Sequence, residues 1–566
     1  MIELLLLACT DGEPTIEPGP WAQLEPVPLE SLRHVLTTSL ATAGHRIVTL
    51  DRRPLAAVVA EDRVLLLDAR WAHLDRVYCL QNPFTFQGPQ GDCAVGEVEL
   101  DRASWRTGSP GAVAFDEEAL RAYVVDEDRL YSADLDQMGE DPWAWLRLDE
   151  GVALDEEPTG VIDAWVEEGD LFVAGDSLWR FSPSGALLER IDEAQVWEGP
   201  SAVDGDTVYA ISEEGLLQGD TLHPMEPPLD LAVTPAHELL LLYADRVEVY
   251  VDERSLAQRS TPLRVFNTTF VEKPKSPIED LPCAGQALAV ETLVATATAN
   301  RRLLDDLPGC HALGFTPHAV VRAQACQVYD QLPSLVGERT EVGVLFHEEP
   351  ECTDEACYAA FLRESAAQVD LDTVTWVAGL SANADAGYDW VGGLIDADLP
   401  GVVPFFGLSL HPDISHFDDP RSKEVWPLDY ADWSRPRAAS SAWDLEGGPV
   451  ALFPGDSRSA FAQAGCANLR LRECQLLGLG DGNLLREGDF ALLGLSLHRA
   501  LAVDIPNGTW SWHLPDIGAW DYGEGCTVQD RRWSGCQAGL MQDWLFDVHA
   551  RYVLNGLAEW TPPSRL

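Results

Sequence analysis

Two clusters in the second half of the chain place imidazole and carboxylate groups directly behind apolar runs. Val344-Leu-Phe-His-Glu-Glu-Pro350 sets His347, Glu348 and Glu349 behind one run. Phe405-Phe-Gly-Leu-Ser-Leu-His-Pro-Asp-Ile-Ser-His416 sets His411, Asp413 and His416 behind another. Such donors suit a catalytic zinc or similar divalent ion that keeps one position open for water. On this reading His347, Glu349, His411 and His416 are metal ligands, and Glu348 and Asp413 are the carboxylates that move protons. The plainer alternative makes the first cluster a helix start, where carboxylates meet exposed N–H groups, and the second a solvated loop.

Other catalytic signatures fail on spacing. His347-Glu348 does not open a zincin helix, because position 351 is glutamate where the second histidine belongs. Gly407-Leu-Ser-Leu-His411 and Gly494-Leu-Ser-Leu-His498 lack the last glycine of a nucleophile elbow. Gly175-Asp-Ser-Leu178 falls where a hairpin turn is expected. No phosphate-cradling glycine loop and no dinucleotide fingerprint occur.

The elements that would carry the clusters alternate between strand and helix after residue 265. Strands are expected at Arg264–Phe270, His311–Phe315, Glu341–Phe346, Thr373–Ala378, Val402–Phe406 and Pro449–Phe453. Helices are expected over 291–307, 319–335, 355–368, 388–398 and 541–557. Such alternation implies parallel strands with crossover helices, and about 300 residues suits one (β/α) barrel with its chemistry at the strands' C-terminal ends.

Residues 31–265 read differently. A unit of apolar strand, acidic or glycine turn and second apolar strand recurs at Leu55–Leu67, Ala122–Tyr131, Asp170–Trp179, Thr207–Leu217 and Leu239–Val249. The later copies follow at the repeat length of a propeller blade, with 71–105 as an insertion. The expected fold is therefore multidomain: an N-terminal all-β, β-propeller-like region and a C-terminal α/β (β/α) barrel. A β-sandwich is the alternative for the first region.

The second region resembles the polysaccharide deacetylase superfamily. The likeness rests on Thr268-Thr-Phe-Val-Glu-Lys-Pro274, Phe346-His-Glu-Glu349, Ala378-Gly-Leu-Ser-Ala-Asn383 and Tyr388-Asp-Trp-Val391. It implies a metal-dependent barrel that removes acetyl groups from glycans. Glu272 falls where the family's metal-binding aspartate would stand, Val271 falls on the family's base, and His411 and His416 are five positions apart, not four. Trp510, Trp512 and Trp520, in a Gly/Asp/Cys-rich stretch expected to be loops, suit stacking on sugar faces. Non-catalytic binding of a glycan or partner protein, by a degenerate barrel and a propeller face, is the second functional reading. A glycoside hydrolase is the third, and the many acids single out no carboxylate pair for it.

Leu6-Leu-Ala-Cys9 resembles a bacterial lipobox, with Cys9 the lipidation site, residues 1–9 signal-like and 10–30, with five prolines between Thr10 and Pro28, an extended tether. No basic residue precedes the apolar run. The implied location is the cell envelope, with membrane contact only through the lipid. Close pairs among the twelve cysteines, such as Cys352 with Cys357, fit disulfides in an oxidising compartment. If Cys9 carries lipid, one of Cys283, Cys310 or Cys326 is left over. With 93 acidic and 38 basic side chains and a net charge of −55, nucleic acid is excluded as a partner, because phosphate binding needs basic groups.

Overall fold

The computed structural model describes residues 19–67 except 41 and 51–55, and 104–271 except 120, 135–147, 192–199, 206 and 235. Beyond these it describes 305–315, 340–346, 352–367, 376–380, 396–398, 403–407, 442–445, 448–453, 487–502, 509–514, 527–562 except 536, and 565. The chain forms two compact units, one of residues 30–255 with 428–434, the other of 1–29, 256–427 and 435–566.

The unit of residues 30–255 consists of five four-stranded antiparallel sheets. After β1 (Arg33–Ser39), the first sheet runs β2 (Gly44–Thr49), β3 (Ala56–Ala60), β4 (Arg63–Leu67) and β5 (Ser104–Arg106). The second has β6 (Pro110–Asp116), β7 (Arg121–Asp126), β8 (Arg129–Asp134) and β9 (Val152–Ala153). The third has β10 (Asp163–Glu167), β11 (Asp170–Ala174), β12 (Leu178–Phe181) and β13 (Leu187–Ile191). The fourth has β14 (Ser201–Asp204), β15 (Thr207–Ser212), β16 (Gly215–Gln218) and β17 (Thr221–Pro224). The closing sheet takes β18 (Asp230–Val233), β19 (Glu238–Leu242) and β20 (Arg246–Val251), and β1 completes it from the other end of the unit.

Each repeated sequence unit is the middle hairpin of one sheet. The turn between β10 and β11 shows why it ends where it does. Glu168 and Gly169 have φ of 52° and 82°, the paired left-handed residues of a type I′ turn, whose twist matches the strands it joins. Alternation explains the packing. Val113, Val124 and Ala133 of the second sheet meet Val59, Leu66 and Trp105 of the first. On its opposite face, Ala112, Tyr123 and Val125 meet Leu171, Val173 and Trp179 of the third. A sheet covered on both faces needs unbroken apolar strands, which is why Ala122-Tyr-Val-Val125 lacks the polar-out alternation. A third cluster joins Tyr209 and Leu216 of the fourth sheet to Leu231, Leu239 and Leu241 of the closing one.

Polar contacts bind the ends and the first strands. The fully buried Glu253 carboxylate pairs with Arg33 Nε at 2.6 Å, and the Glu253 N–H donates to the Glu30 carbonyl at 2.9 Å. Arg46 on β2 reaches Asp163 on β10 at 2.8 Å and Asp230 on β18 at 3.5 Å. Burial pushes the Asp230 carboxyl above its usual range, and Arg46 and the Ile47 N–H oppose that shift.

The other unit holds one nine-stranded sheet. Its strands are β21 (Leu263–Val271), β22 (His311–Phe315), β23 (Thr340–Phe346), β24 (Trp376–Leu380), β25 (Val403–Gly407), β26 (Ala442–Leu445), β27 (Gly448–Phe453), β28 (Thr509–Leu514) and β31 (Ala558–Trp560), with a separate hairpin of β29 (Thr527–Gln529) and β30 (Arg532–Ser534). Every pairing in the large sheet is parallel except β26 with β27, and β27 lies against β28 although no ladder joins them. The described helices are α1 (Glu355–Ala367), α2 (Glu487–Ala502) and α3 (Gln537–Val548), the last running into a π-helical turn, His549–Val553. Gly556, at φ 78°, ends it with Leu557 N–H donating to the Tyr552 carbonyl and Gly556 N–H to that of Val553.

The stretch expected as a free tether differs from Gly19 onward. Trp21, 6% exposed, packs edge-on against His549 with ring centroids 5.4 Å apart. The Val27 N–H donates to the Ala550 carbonyl at 3.0 Å, and Asn555 Nδ2 donates to Val27's carbonyl at 2.8 Å. An indole seated in a packed site outweighs the extended bias of the prolines around it. The unit boundary likewise falls at 255 and not at 265, since Leu263 already belongs to β21. Trp21→Ala is expected to destabilise this unit by about 3 kcal/mol, the usual cost of emptying a buried tryptophan site. Calorimetry, with proteolysis of residues 19–29, measures it. An unchanged unfolding midpoint would show that the strap contributes nothing.

Candidate functional site

The parallel ladder carries level positions across the sheet. Val271, Phe315 and Val344 are in register across β21, β22 and β23; Phe346, Gly379 and Phe406 are in register across β23, β24 and β25. The chain therefore leaves β21, β23 and β25 at one edge of the sheet, within about two residues of level. At about 4.8 Å per strand, β21 and β23 stand about 10 Å apart, as do β23 and β25.

Glu272 is the next residue in sequence after β21. His347, Glu348 and Glu349 come directly after β23, and His411, Asp413 and His416 follow the end of β25 by four, six and nine positions. All seven, with Cys9 and Trp520, lie outside the described residues. Among the described residues, no three His, Cys, Asp or Glu side chains form a group able to hold a metal ion.

Trp510 and Trp512 need a correction. They stand on β28, opposite Val265 and Asn267 of β21, and not in a loop. The Gly and Asp residues that suggested a loop flank a six-residue run, Thr-Trp-Ser-Trp-His-Leu, whose aromatic and β-branched content favours a strand. Trp533 also lies in a strand, β30, where its Nε1 donates to Asp306 Oδ2 at 2.8 Å. That carboxylate pairs with Arg531 Nε at 2.5 Å, and Gln542 of α3 donates to the Asp306 carbonyl at 3.1 Å. Asp530 and Arg531, at φ 50° and 63°, make a two-residue turn without glycine, and the Asp306 pair holds Arg531 there. This tryptophan secures a hairpin.

The start of α1 is pinned. Cys352 and Cys357 form a disulfide, bearing out one of the pairs expected from the sequence. Between them Asp354 caps α1: its carboxylate accepts from the Cys357 N–H at 2.8 Å and its carbonyl from the Tyr358 N–H at 3.2 Å. Tyr358 is fully buried and stacks on Phe361. Cys310, just before β22, is also disulfide-bonded, so it is not the leftover thiol that the cysteine count allowed.

Sequence reasoning missed the polar groups that join sheets in the unit of residues 30–255. His237 Nδ1 bonds Asp204 Oδ1 at 2.6 Å, which holds the imidazole's pKa above its ordinary value. Thr234 and His237 bracket a turn, but nothing in their spacing announces a partner 33 residues upstream.

No family model matches the chain, and no curated protein matches it. A solved structure, Kluyveromyces lactis Hsv2, is similar at a TM-score of 0.18 and 10% identity, over 36% of this chain and 58% of that one. At that score the likeness carries nothing about fold or function.

Replacing Cys352 and Cys357 together by serine opens a loop of sequence separation 5. The chain-entropy account assigns so short a loop about 2 kcal/mol. Calorimetry is expected to show that loss; no loss would mean that the Asp354 cap alone orders the loop.

Proposed function

We propose that this is an exported surface protein, lipid-anchored at Cys9, whose sheet of parallel strands closes into a barrel that deacetylates a glycan or cell-surface polymer with the help of a divalent metal. The observation that carries this reading is the parallel ladder that brings the ends of β21, β23 and β25 to one sheet edge. The approach of β27 to β28 supports closure. The five meandering four-stranded sheets, the last completed by β1, with core clusters joining the first to the second, the second to the third and the fourth to the closing one, support a five-bladed propeller that offers a face to a protein partner.

Imidazole and carboxylate donors suit zinc, and the residues that would hold it are His347, Glu349, His411, His416 and Glu272. The ion, when bound, supplies Lewis-acid polarisation. Glu348 takes a proton from water as its oxygen bonds to the acetyl carbon. Asp413, entering the step protonated, gives its proton to the sugar heteroatom as the bond from that atom to the acetyl carbon breaks, releasing acetate. Trp520, the one of the three expected stacking tryptophans not placed on a strand, provides sugar-stacking surface.

The second reading, a non-catalytic glycan-binding protein, rests on Val271, whose aliphatic side chain cannot serve as the base at the end of β21. Zinc content and acetate release from acetylated chito-oligosaccharides separate the two. The full-length chain is expected to hold zinc and release acetate, and His347→Ala and His411→Ala each to lose zinc affinity by at least about tenfold, the scale of disrupting a metal site. Full zinc occupancy in both variants would exclude these ligands; oligosaccharide binding without acetate release would leave the binding module.

A further inference from the structure

Tyr209 and Leu216 of the fourth sheet share a core cluster with the closing sheet, but among the described residues no core cluster joins the fourth sheet to the third. Val203 and Val208, cross-strand partners in β14 and β15, are 64% and 48% exposed. Among the described clusters, the fourth sheet's packing runs through its seam with the closing sheet.

That seam is polar and titratable. Asp204, at the end of β14, accepts from His237, which closes the tight turn between β18 and β19 with φ 58°. The Thr234 N–H donates to the Glu238 carbonyl at 2.9 Å across this turn. Gln218 of β16 donates to Tyr209 Oη at 3.1 Å, to the Ser31 carbonyl at 3.4 Å and to Asp252 Oδ2 at 3.4 Å, and accepts from His223 Nε2 at 3.0 Å. The Asp252 N–H in turn donates to the His237 carbonyl at 3.2 Å. The charged groups that face His237 are Asp204 from the fourth sheet, Asp252 beyond β20 and its own neighbour Glu238. All three are acidic, and no cation competes with the imidazolium in that set.

We propose that the Asp204–His237 pair is a proton-operated latch, which binds the fourth sheet to the closing sheet while the imidazole is charged and loosens it when the proton leaves. The hydrogen bond to Asp204, aided by the surrounding carboxylates, raises the His237 pKa above 6.5, while burial opposes the rise. A group with a raised folded-state pKa stabilises fully below its unfolded value and loses that contribution as pH climbs through the folded value. Asp252 is raised by burial and by Asp204, so its ionisation acts in the same sense. The seam therefore tightens on acidification and slackens as pH rises through the raised folded value.

Hydrogen exchange on the full-length chain tests this, as protection factors corrected for intrinsic rate at about pH 6 and about pH 9, with the first sheet as internal reference. The amides of β14 to β17 are expected to lose at least about tenfold protection relative to the first sheet as pH rises. His237→Asn keeps a residue that tolerates positive φ but cannot titrate, so the fourth sheet's protection should become flat with pH. Asp204→Asn should move the wild-type loss to lower pH, and the first sheet's protection reports whether each variant is folded. A wild-type fourth sheet as protected at pH 9 as at pH 6, or a pH-dependent loss undiminished in His237→Asn, would overturn the proposal.

Discussion

Parallel strand pairing is the constraint from which the functional reading of the larger unit follows. A parallel neighbour cannot be reached by a tight turn; the chain must cross back along the sheet before it pairs again. The described α1, between β23 and β24, is one such return. The rule forces β21 to β25 to start at one edge and finish at the other, whatever their side chains. The ends of β21, β23 and β25, far apart in sequence, are brought by this geometry to one edge. The opposite edge serves structure: Asp306, ahead of β22, fastens the β29–β30 hairpin through Arg531 and Trp533.

Charge imposes a second discipline. With 93 acids against 38 bases, carboxylates outnumber their possible partners, and two of the described arginines each bridge several of them. Arg246 contacts Glu226, Asp245 and Glu248, which push its guanidinium pKa up; Arg46 ties together Asp163 and Asp230 from different sheets. Exposed pairs of this kind contribute little each, but the Glu253 carboxylate is fully buried, so losing Arg33 would strand a charge away from water. The ion pairs thus matter most where they join distant strands.

Much of the strand order was legible because apolar runs bounded by turn residues carry their own signal. His311–Phe315 was placed to the residue, and all five repeated hairpins proved to be the middle strands of five sheets. What escaped was set by partners remote in sequence. β26 is an edge strand of four residues, and α2, Glu487–Ala502, follows a glycine-rich stretch that masks its start. β28 was hidden by loop-like flanks, and the strap at Trp21 depends on His549, more than five hundred residues away. For the proposed site the sequence gives donor types and the strands they follow, while their convergence depends on loops outside the described residues.

The order of the chain bears on how an anchored protein would be held. Residues 19–29 belong to the same unit as residues 256–427 and 435–566, so residues 30–255 of the five-sheet unit are an insertion within it. Such an insertion folds without strain only if its ends meet, and the Glu30–Glu253 backbone bond and the β1–β20 ladder bring them together. On the lipoprotein reading, Cys9 is ten residue steps from Gly19, where the docked strap begins. Fully extended, those steps span at most about 35 Å. A lipid on Cys9 would therefore hold the unit with the parallel sheet close to the membrane, through a strap seated in its own structure. A net charge of −55 would resist approach to an anionic bilayer, so that proximity must come from the covalent anchor and not from electrostatic attraction.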